Sequence, residues 1–324
     1  MALGAFTFVR CQSGISGVDV TQPGDFFSSR HCAQGPQTVT TTPLEVPMPK
    51  LLSSPAVEAY RRDGYHFPVP VLSSTEVAHY RGCLERHEAA TGAPLQGNWR
   101  HKAHLLFTWV DELVHHPRIV DAAEDLLGAD LFCWTTNFFI KEANSPGFVS
   151  WHQDAFYWGL SKDDVMTAWV ALSPANLESG CMKFLPGSQT QDHLQHVDTF
   201  HKDNLLSRGQ EIAVRVDGSS AVDCILNPGE MSLHHVKLVH GSEPNRSNDR
   251  RIGLAIRYIP TDVKQLKVRD SATLVRGVDR YGNFDHEPRP KRDLDEAALA
   301  AHADAIGRQV KALYSGTEKQ AFRA

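Results

Sequence analysis

The spacing of hydrophobic residues divides this chain into an unpatterned beginning and a patterned remainder. Residues 1–47 are rich in Ser, Thr, Gly, Gln and Pro and show no hydrophobic periodicity, a composition typical of disordered segments. Regular patterns begin at Met48. We therefore predict a disordered extension over 1–47 and a single domain over 48–324. We also expect a protein that starts at Met48 to fold and function without the extension.

Helices are predicted on both sides of a long central region from their start and stop signals. Proline favours the first turn of a helix, a Ser-x-x-Glu capping box opens one, and glycine ends one. These signals predict helices over Pro55–Arg62 before Gly64, from the Ser73 and Glu76 capping box to about Ala90, over Pro117–Leu127 before Gly128, and over Asp295–Leu313. The apolar residues that periodicity places on one side of the last helix are Leu299, Ile306, Val310 and Leu313.

The central region, from Leu131 to Tyr258, is predicted to form mostly β-strands. Its runs are rich in aromatic and β-branched residues and are separated by Pro-Gly pairs, as strands and turns are. A polar stretch over 189–210 is the exception and is predicted to form a loop or an irregular helix. Helices flanking one long antiparallel region favour a mainly β fold with a double-stranded β-helix core. Such a jelly-roll, cupin-like barrel can hold a metal ion in its interior.

Composition narrows the classes of partner. The chain has 324 residues, of which 41% are hydrophobic and 22% charged, enough to bury a full core. Its net charge of −5 argues against nucleic-acid binding, which usually needs a basic patch, and no apolar run approaches the ~20 residues of a membrane span. The six cysteines form no CxxC pair, as expected for reduced thiols. We expect a cytoplasmic protein with a small-molecule substrate, and the sequence leaves the oligomeric state open.

The main candidate for chemistry is the triplet His152-Gln153-Asp154. Side chains two positions apart in a strand point to the same face, so both can reach one ion. Further His-x-Asp triplets begin at His196, His201 and His302, but they lie in the polar stretch or the last helix and lack this strand context. A His-x-Asp pair completed by a distant His is the ligand set of a two-His, one-carboxylate iron site.

Three downstream histidines compete for the place of the distant ligand. His234 and His235 are adjacent, so at most one of them can face an ion from a strand. His240 shares a strand face with Ser242, which would put a hydroxyl group beside the ligand.

The strand predicted after these histidines has an unusual face. Its same-side residues are Arg251, Gly253, Ala255 and Arg257. Two cations separated by small residues suit a cavity that holds an anion, and Arg251 follows His240 by eleven residues. The alternative is an edge strand with a solvated basic face.

Together these motifs resemble the phytanoyl-CoA dioxygenase family over about residues 49–290. The first family motif is matched by Trp151-His152-Gln153-Asp154 and then Tyr157-Trp158-Gly159-Leu160. The second is matched by His240, Ser242, Asn245, Ser247, Arg251, Arg257 and Tyr258. The stretch Gly180–Ser188 is similar to the strand and turn between the two ligand strands, with Gln189 where many members carry His.

The resemblance implies a role for each matching residue. His152, Asp154 and His240 would bind Fe(II). Arg251, helped by Ser242, would hold the distal carboxylate of 2-oxoglutarate, as a planar guanidinium suits a carboxylate.

Three further residues are candidates for co-substrate binding by the same resemblance. Trp169 matches an aromatic residue beside 2-oxoglutarate, with an ordinary core tryptophan as the alternative. Lys102 lies near a co-substrate-binding lysine of some members, with a solvated lysine as the alternative. Asn137, in the strand before His152, is the third.

The implied activity is hydroxylation of a small organic substrate, an acyl-CoA or another small metabolite, using Fe(II), 2-oxoglutarate and O2 and releasing succinate and CO2. Asp154 occupies the position where related halogenases have Gly or Ala, so hydroxylation is favoured over chlorination. Two rival hypotheses are a cupin-type metal enzyme that does not use 2-oxoglutarate and a non-catalytic metal-binding jelly-roll protein. Dependence of turnover on 2-oxoglutarate distinguishes all three.

Overall fold

The structure is a computed structural model that describes residues 49–314. The predictions of a disordered and dispensable extension over 1–47 therefore concern residues outside those described. Helices within the described part are α1 (Ser54–Asp63), α2 (Ser74–Thr91), α3 (Thr108–Val114), α4 (Pro117–Leu127), α5 (Ala155–Trp158) and α6 (Glu296–Leu313). None of them is long and apolar enough to cross a membrane.

Local capping explains where the predicted helices begin and end. The hydroxyl of Ser73 accepts a hydrogen bond from the main-chain N–H of Glu76, whose carboxylate accepts one from the N–H of Ser73 in return. Gly64 ends α1 in the left-handed conformation, with φ of 84°. The prediction for α4 is confirmed to the residue, because proline and glycine mark its two ends.

The buried face of α6 differs from the predicted one. Leu299 is 38% exposed, whereas the buried residues are Ala298, His302, Ala305, Ile306, Gln309 and Ala312. His302 faces inward because its Nε2–H donates to the main-chain oxygen of His101, at 2.9 Å. Apolar periodicity missed this face because two of its members, His302 and Gln309, are polar and form hydrogen bonds inside the fold.

Seven strands form the larger sheet. Their spatial order is β1 (Tyr65–Pro70), β9 (Glu230–His235), β4 (Met166–Ala171), β11 (Arg251–Pro260), β2 (Leu131–Lys141), β12 (Ser271–Arg276) and β13 (Asp285–His286). All neighbours are antiparallel except β12 and β13. Because β11 lies between β4 and β2, the alternative of a solvated edge strand is wrong.

Four strands form a smaller sheet, in the order β3 (Val149–His152), β10 (His240–Ser242), β5 (Met182–Phe184) and β8 (Val222–Cys224). A separate pair consists of β6 (His196–Asp198) and β7 (Gln210–Ile212). The loop or irregular helix predicted over 189–210 is therefore wrong for β6, which pairs with β7 at the end of the same stretch.

The two main sheets enclose a pocket, which is the predicted jelly-roll arrangement. The two faces of β11 show how the sequence pattern places it. Its outward side packs in the core with the helices through Ile252, Leu254, Ile256 and Tyr258. Its inward side lines the pocket through Arg251, Ala255 and Arg257. The predicted cation-bearing face therefore looks into the barrel, opposite the smaller sheet.

Candidate metal centre

Three predicted ligands meet inside the barrel. His152 ends β3, His240 begins β10, and the two residues are direct partners in the antiparallel pairing of these strands. Asp154 follows at the turn into α5, so the prediction that it shares a strand face with His152 is wrong, because β3 ends at His152. One side-chain atom from each of the three lies within 4.8 Å of the others, and all three residues are buried. Nε2 of His152 is 3.4 Å from Oδ1 of Asp154.

Hydrogen bonds behind the rings select the nitrogen that is available to a metal. Nδ1 of His152 donates to the main-chain oxygens of Ser150, at 2.9 Å, and His240, at 3.0 Å. Nδ1 of His240 donates to the main-chain oxygen of Leu238, at 2.9 Å. A histidine that donates through Nδ1 keeps the lone pair on Nε2 for an ion. The donor set therefore fits a divalent transition metal, with two neutral imidazoles and one carboxylate.

The protonation states also suit metal binding. Burial lowers the pKa of His240 to about 4, reinforced by the nearby His152, so its imidazole is neutral near pH 7. Burial opposes ionisation of Asp154, but the Arg257 guanidinium and the two histidines outweigh it and hold its pKa well below the usual range. Asp154 is thus an anion before any metal arrives, which matches what a ligand must be.

The remaining histidines are excluded for separate reasons. His196 is buried, but its Nε2 already accepts the main-chain N–H of Gln153, at 2.9 Å. His201 is exposed, and His302 belongs to α6. His234 lines the pocket from β9, its ring centroid 5.0 Å from that of His240, yet it is not part of the three-residue group found within 49–314. The prediction that His196 lacks a strand context is wrong, because His196 begins β6.

A buried pair of cations lies at the other end of the pocket. Arg251 and Lys141 are direct partners across β11 and β2, and both are at most 1% exposed. Like charges opposite each other in a sheet repel, and no carboxylate among the described residues forms an ion pair with either. Burial, followed by the charge of Arg251, lowers the pKa of Lys141 to about 6. Near pH 7 Lys141 is therefore mostly neutral beside the Arg251 cation, and a bound anion would favour its ammonium form, so the pair forms a site for an anion.

Neutral oxygens hold these cations in place. Nη1 of Arg251 donates to the main-chain oxygen of Gly180, at 2.6 Å. The Lys141 ammonium donates to the same oxygen, at 3.2 Å, to the Ser242 hydroxyl, at 2.7 Å, and to the main-chain oxygen of Glu243. Nε of Arg251 has no hydrogen-bond partner. Sequence reasoning missed Lys141, although a lysine directly after the apolar run Phe138–Ile140 was a visible signal.

Trp169 lines the same pocket, and its ring packs against Gly253. The Arg251 guanidinium carbon lies 5.2 Å from the centre of the Trp169 ring, a cation–π distance. A Cβ atom on Gly253 would lie 1.8 Å from the indole atom Cζ2. The small residue on the inner face of β11 therefore makes room for the ring beside the cation.

Lys102 is a correction to the sequence-based assignment. Its ammonium donates to the main-chain oxygens of Trp134, at 2.8 Å, and Ser271, at 2.9 Å, and pairs with the Glu287 carboxylate. It does not line the metal pocket, and at 0% exposure it is not solvated either. Asn137 also lies outside the metal pocket, and lines a second cavity next to it.

Comparison with known proteins agrees with this geometry. The sequence model of the family described as phytanoyl-CoA dioxygenase (PhyH) matches residues 60–253. A probable alpha-ketoglutarate-dependent hypophosphite dioxygenase of Stutzerimonas stutzeri is 30% identical over 56% of this chain and 60% of its own. The L-proline trans-4-hydroxylase of Streptomyces griseoviridis is 27% identical over 64% of this chain and 87% of its own. The chain thus spans less than two thirds of the first relative's length.

A similar structure has also been solved. The non-heme monooxygenase ThoJ, in its apo form, superimposes with a TM-score of 0.70 and 38% sequence identity, over 80% of this chain and 97% of its own. Its similarity therefore extends over most of this chain and nearly all of its own.

Proposed function

The chain belongs to the phytanoyl-CoA dioxygenase family, and from this we propose that it is an Fe(II)- and 2-oxoglutarate-dependent dioxygenase that hydroxylates a small organic substrate. Dioxygenases of this family need Fe(II), 2-oxoglutarate and O2. The substrate, 2-oxoglutarate and O2 would be converted into the alcohol, succinate and CO2, so that one oxygen atom enters each of the first two products.

One observation carries the proposal. The buried triad His152, Asp154 and His240 and the uncompensated cation Arg251 line the same pocket. The triad supplies three ligands on one side of an ion and leaves the rest of its coordination open. The cation supplies the partner for the far carboxylate of a co-substrate that chelates the ion with its other end.

Each residue then has a task that its environment supports. Arg251 binds and orients the distal carboxylate, with the Ser242 hydroxyl beside it and Lys141 behind that hydroxyl. Trp169 lies against Arg251 and restricts where the co-substrate can lie. Bound Fe(II), together with 2-oxoglutarate, supplies the activation of O2 that oxidises a C–H bond.

Asp154 has a second influence on the outcome. It remains ionised in its buried surroundings and so offers a permanent ligand where a halide would otherwise bind. This supports hydroxylation rather than chlorination. Apolar neighbours such as Phe139, Val149 and Met182 line the same pocket and exclude water from it.

A compact metabolite is the better substrate class than an acyl-CoA. By their names, two relatives act on hypophosphite and L-proline and another is an ectoine dioxygenase, and all three names denote small molecules. We infer the same class for this chain. The paired cations Arg251 and Lys141 favour this 2-oxoglutarate-dependent chemistry over that of a cupin-type enzyme without the co-substrate.

The decisive experiment measures co-substrate binding and consumption separately. Purified protein given Fe(II) and 2-oxoglutarate without oxygen should develop the weak visible charge-transfer band of the chelate. Oxygen should then cause succinate release, which a screen of small metabolites should accelerate. Substrate oxidation that does not depend on 2-oxoglutarate would favour the cupin-type alternative, and iron binding without succinate release would favour a non-catalytic protein.

A further inference from the structure

A second cavity adjoins the metal pocket. It is partly open, and its space measures about 500 Å³ when the part open to solvent is included. The two share Phe139, Asp154 and Arg257 as lining residues, so this cavity opens directly beside a proposed ligand of the iron. Arg251 does not line it, so a molecule in this cavity would reach the proposed metal centre past Asp154 and Arg257.

Besides Oδ2 of the proposed metal ligand Asp154, three buried polar atoms of the residues lining this cavity have no hydrogen-bond partner. They are Nε of Arg257 from β11, Oδ1 of Asn137 from β2 and Nε2 of Gln309 from α6. Buried polar groups are nearly always paired, because an unpaired one costs about 1–3 kcal/mol. Three such atoms from three different elements, all lining one cavity, indicate a ligand that supplies their partners.

We propose that this cavity binds the organic substrate and that the substrate is a small carboxylic acid, its carboxylate held by Arg257 and its apolar body enclosed by aromatic and leucine side chains. The walls supply that enclosure, since Trp134, Trp158 and Leu205 line the cavity. The inference rests on the proposed function, because it places the acid beside the proposed iron centre.

Arg257 is positioned to receive an anion. Its guanidinium carbon lies 5.3 Å from the centre of the Trp158 ring and 5.9 Å from that of Phe139, so two aromatic faces hold it. Its nearest counter-charge, Oδ2 of Asp154, is 3.7 Å away, too far for a normal hydrogen bond. A carboxylate that accepts two parallel N–H groups would satisfy this guanidinium far better.

The charge balance of the assembled centre also calls for one more anion. Asp154 is the carboxylate among the residues that line the two cavities, and Arg251 and Arg257 are their cations. The +2 charge of an iron ion would balance the −2 charge of 2-oxoglutarate, and the negative charge of Asp154 would balance one arginine. One positive charge remains even when Lys141 is neutral, and a buried net charge is costly. A monoanionic substrate removes it.

Gln309 and Asn137 add specificity. The Oε1 atom of Gln309 accepts a hydrogen bond from the Thr135 hydroxyl, at 3.3 Å, which directs the Nε2 donor into the cavity as a second contact for an acid. Oδ1 of Asn137 is an acceptor and suits an N–H or O–H group elsewhere on the substrate. The acid is therefore expected to carry such a donor.

The test compares acids with their own primary amides, which have nearly the same shape and no charge. Hexanoate, 6-hydroxyhexanoate and phenylacetate are titrated calorimetrically, without oxygen, into protein saturated with Fe(II) and 2-oxoglutarate. At least one acid should bind with a Kd at least about tenfold below that of its amide, and 6-hydroxyhexanoate should bind more tightly than hexanoate. The proposal is overturned if no acid binds better than its amide.

Substitutions in the cavity test which residues cause the preference for acids over their amides. Arg257→Gln should remove it, and Gln309→Glu should weaken acid binding at least about tenfold while leaving the amides unchanged. The matched control is Arg308→Gln, on the same helix but paired with Asp285 and Asp304 at the surface, which should keep the preference. Retention of the preference in both cavity variants overturns the assignment.

The charge-transfer band separates this inference from the proposed function. A wild-type protein without the band contradicts the proposed function, and a wild-type protein with the band but no acid preference contradicts only the substrate assignment. If Arg257→Gln also loses the band, Arg257 supports Asp154 as well. Gln309→Glu then decides the matter, because Gln309 contacts none of the three proposed iron ligands.

Discussion

Nδ1 of His152 lies 3.0 Å from the main-chain oxygen of His240, so the backbone of one proposed ligand orients the ring of the other. Both histidines belong to adjacent antiparallel strands, where they are direct partners. The rigid pairing of β3 and β10 therefore fixes the two Nε2 atoms before a metal binds. A preorganised ligand set of this kind makes the effects of single substitutions predictable.

Removing any member of the triad should abolish iron chelation. His152→Ala, Asp154→Ala and His240→Ala should each lose the anaerobic charge-transfer band and oxygen-dependent succinate release, because two ligands leave the triad incomplete. The matched control is His234→Ala, a neighbour in the same pocket that is outside the group. A band that survives His240→Ala but not His234→Ala would reverse the assignment of the distal ligand.

Arg251→Lys should weaken the binding of 2-oxoglutarate more than the binding of iron. Lysine keeps the charge but loses the two-pronged geometry that matches a carboxylate. The apparent KM for 2-oxoglutarate should rise at least about tenfold, equivalent to ~1.4 kcal/mol, with Fe(II) affinity little changed. Arg250→Lys is the control, because Arg250 points away and pairs with Glu88 and Glu142. A larger effect at Arg250 would contradict the site.

Replacing Lys141 by Met should weaken 2-oxoglutarate binding, whereas replacing Lys102 by Met should lower the stability of the fold. Lys141→Met should raise the Kd of 2-oxoglutarate, measured by anaerobic titration, at least about tenfold, or ~1.4 kcal/mol, because the Ser242 hydroxyl loses its donor and the anion site loses a group that a bound carboxylate would protonate. Lys102→Met should leave that Kd unchanged. It should instead lower the free energy of unfolding in urea by about 3–5 kcal/mol, since the buried Glu287 carboxylate loses its cation and keeps only hydrogen bonds from His104, Ser271 and Thr273. The reverse pattern would restore Lys102 to the co-substrate site.

Gly253→Ala should displace Trp169. The added Cβ would lie 1.8 Å from the indole, so the ring must move, at a cost of about 1–3 kcal/mol in the free energy of unfolding. The Kd of 2-oxoglutarate should rise with it. Gly307→Ala in α6 is the control, because a Cβ there meets nothing within 4 Å, and alanine should add about 0.5–1 kcal/mol. Unchanged stability and affinity in Gly253→Ala would contradict the packing described.

Stability of the metal-free protein should fall as the pH drops from about 6.5 towards 4. Burial lowers the pKa of both His196 and His240 to about 4, whereas the unfolded chain protonates histidine near 6.5. Below pH 6.5 the unfolded state therefore binds more protons than the folded state, so lowering the pH favours unfolding.

Urea unfolding at a series of pH values measures this effect. His196→Gln keeps an acceptor for the Gln153 N–H but cannot titrate, so the slope between pH 6.5 and 5 should shrink by up to about 1.4 kcal/mol per pH unit. An unchanged slope would mean that His196 titrates alike in both states.

Local signals accounted for the elements that local forces specify. The ends of α1, α2 and α4 follow from caps and breakers within a few residues of each helix. The inner and outer faces of β11 follow from strict alternation. The prediction of the buried face of α6 was wrong because the polar residues that point inward bind partners far away in sequence. His302, for example, donates to the main-chain oxygen of His101.

The sequence by itself predicted the family resemblance and the mainly β fold, and its motifs singled out the three proposed ligands. The strand-face argument for Asp154 was wrong, because β3 ends at His152 and the turn into α5 brings Asp154 to the site. Only the tertiary structure decided which lysine joins the anion site. Lys141 meets Arg251 through the register of β2 and β11, while Lys102 is drawn to Glu287, 185 residues away. It likewise decided that Gln309 of the last helix faces the second cavity. Strand register and helix docking depend on contacts distant in sequence, which no local pattern records.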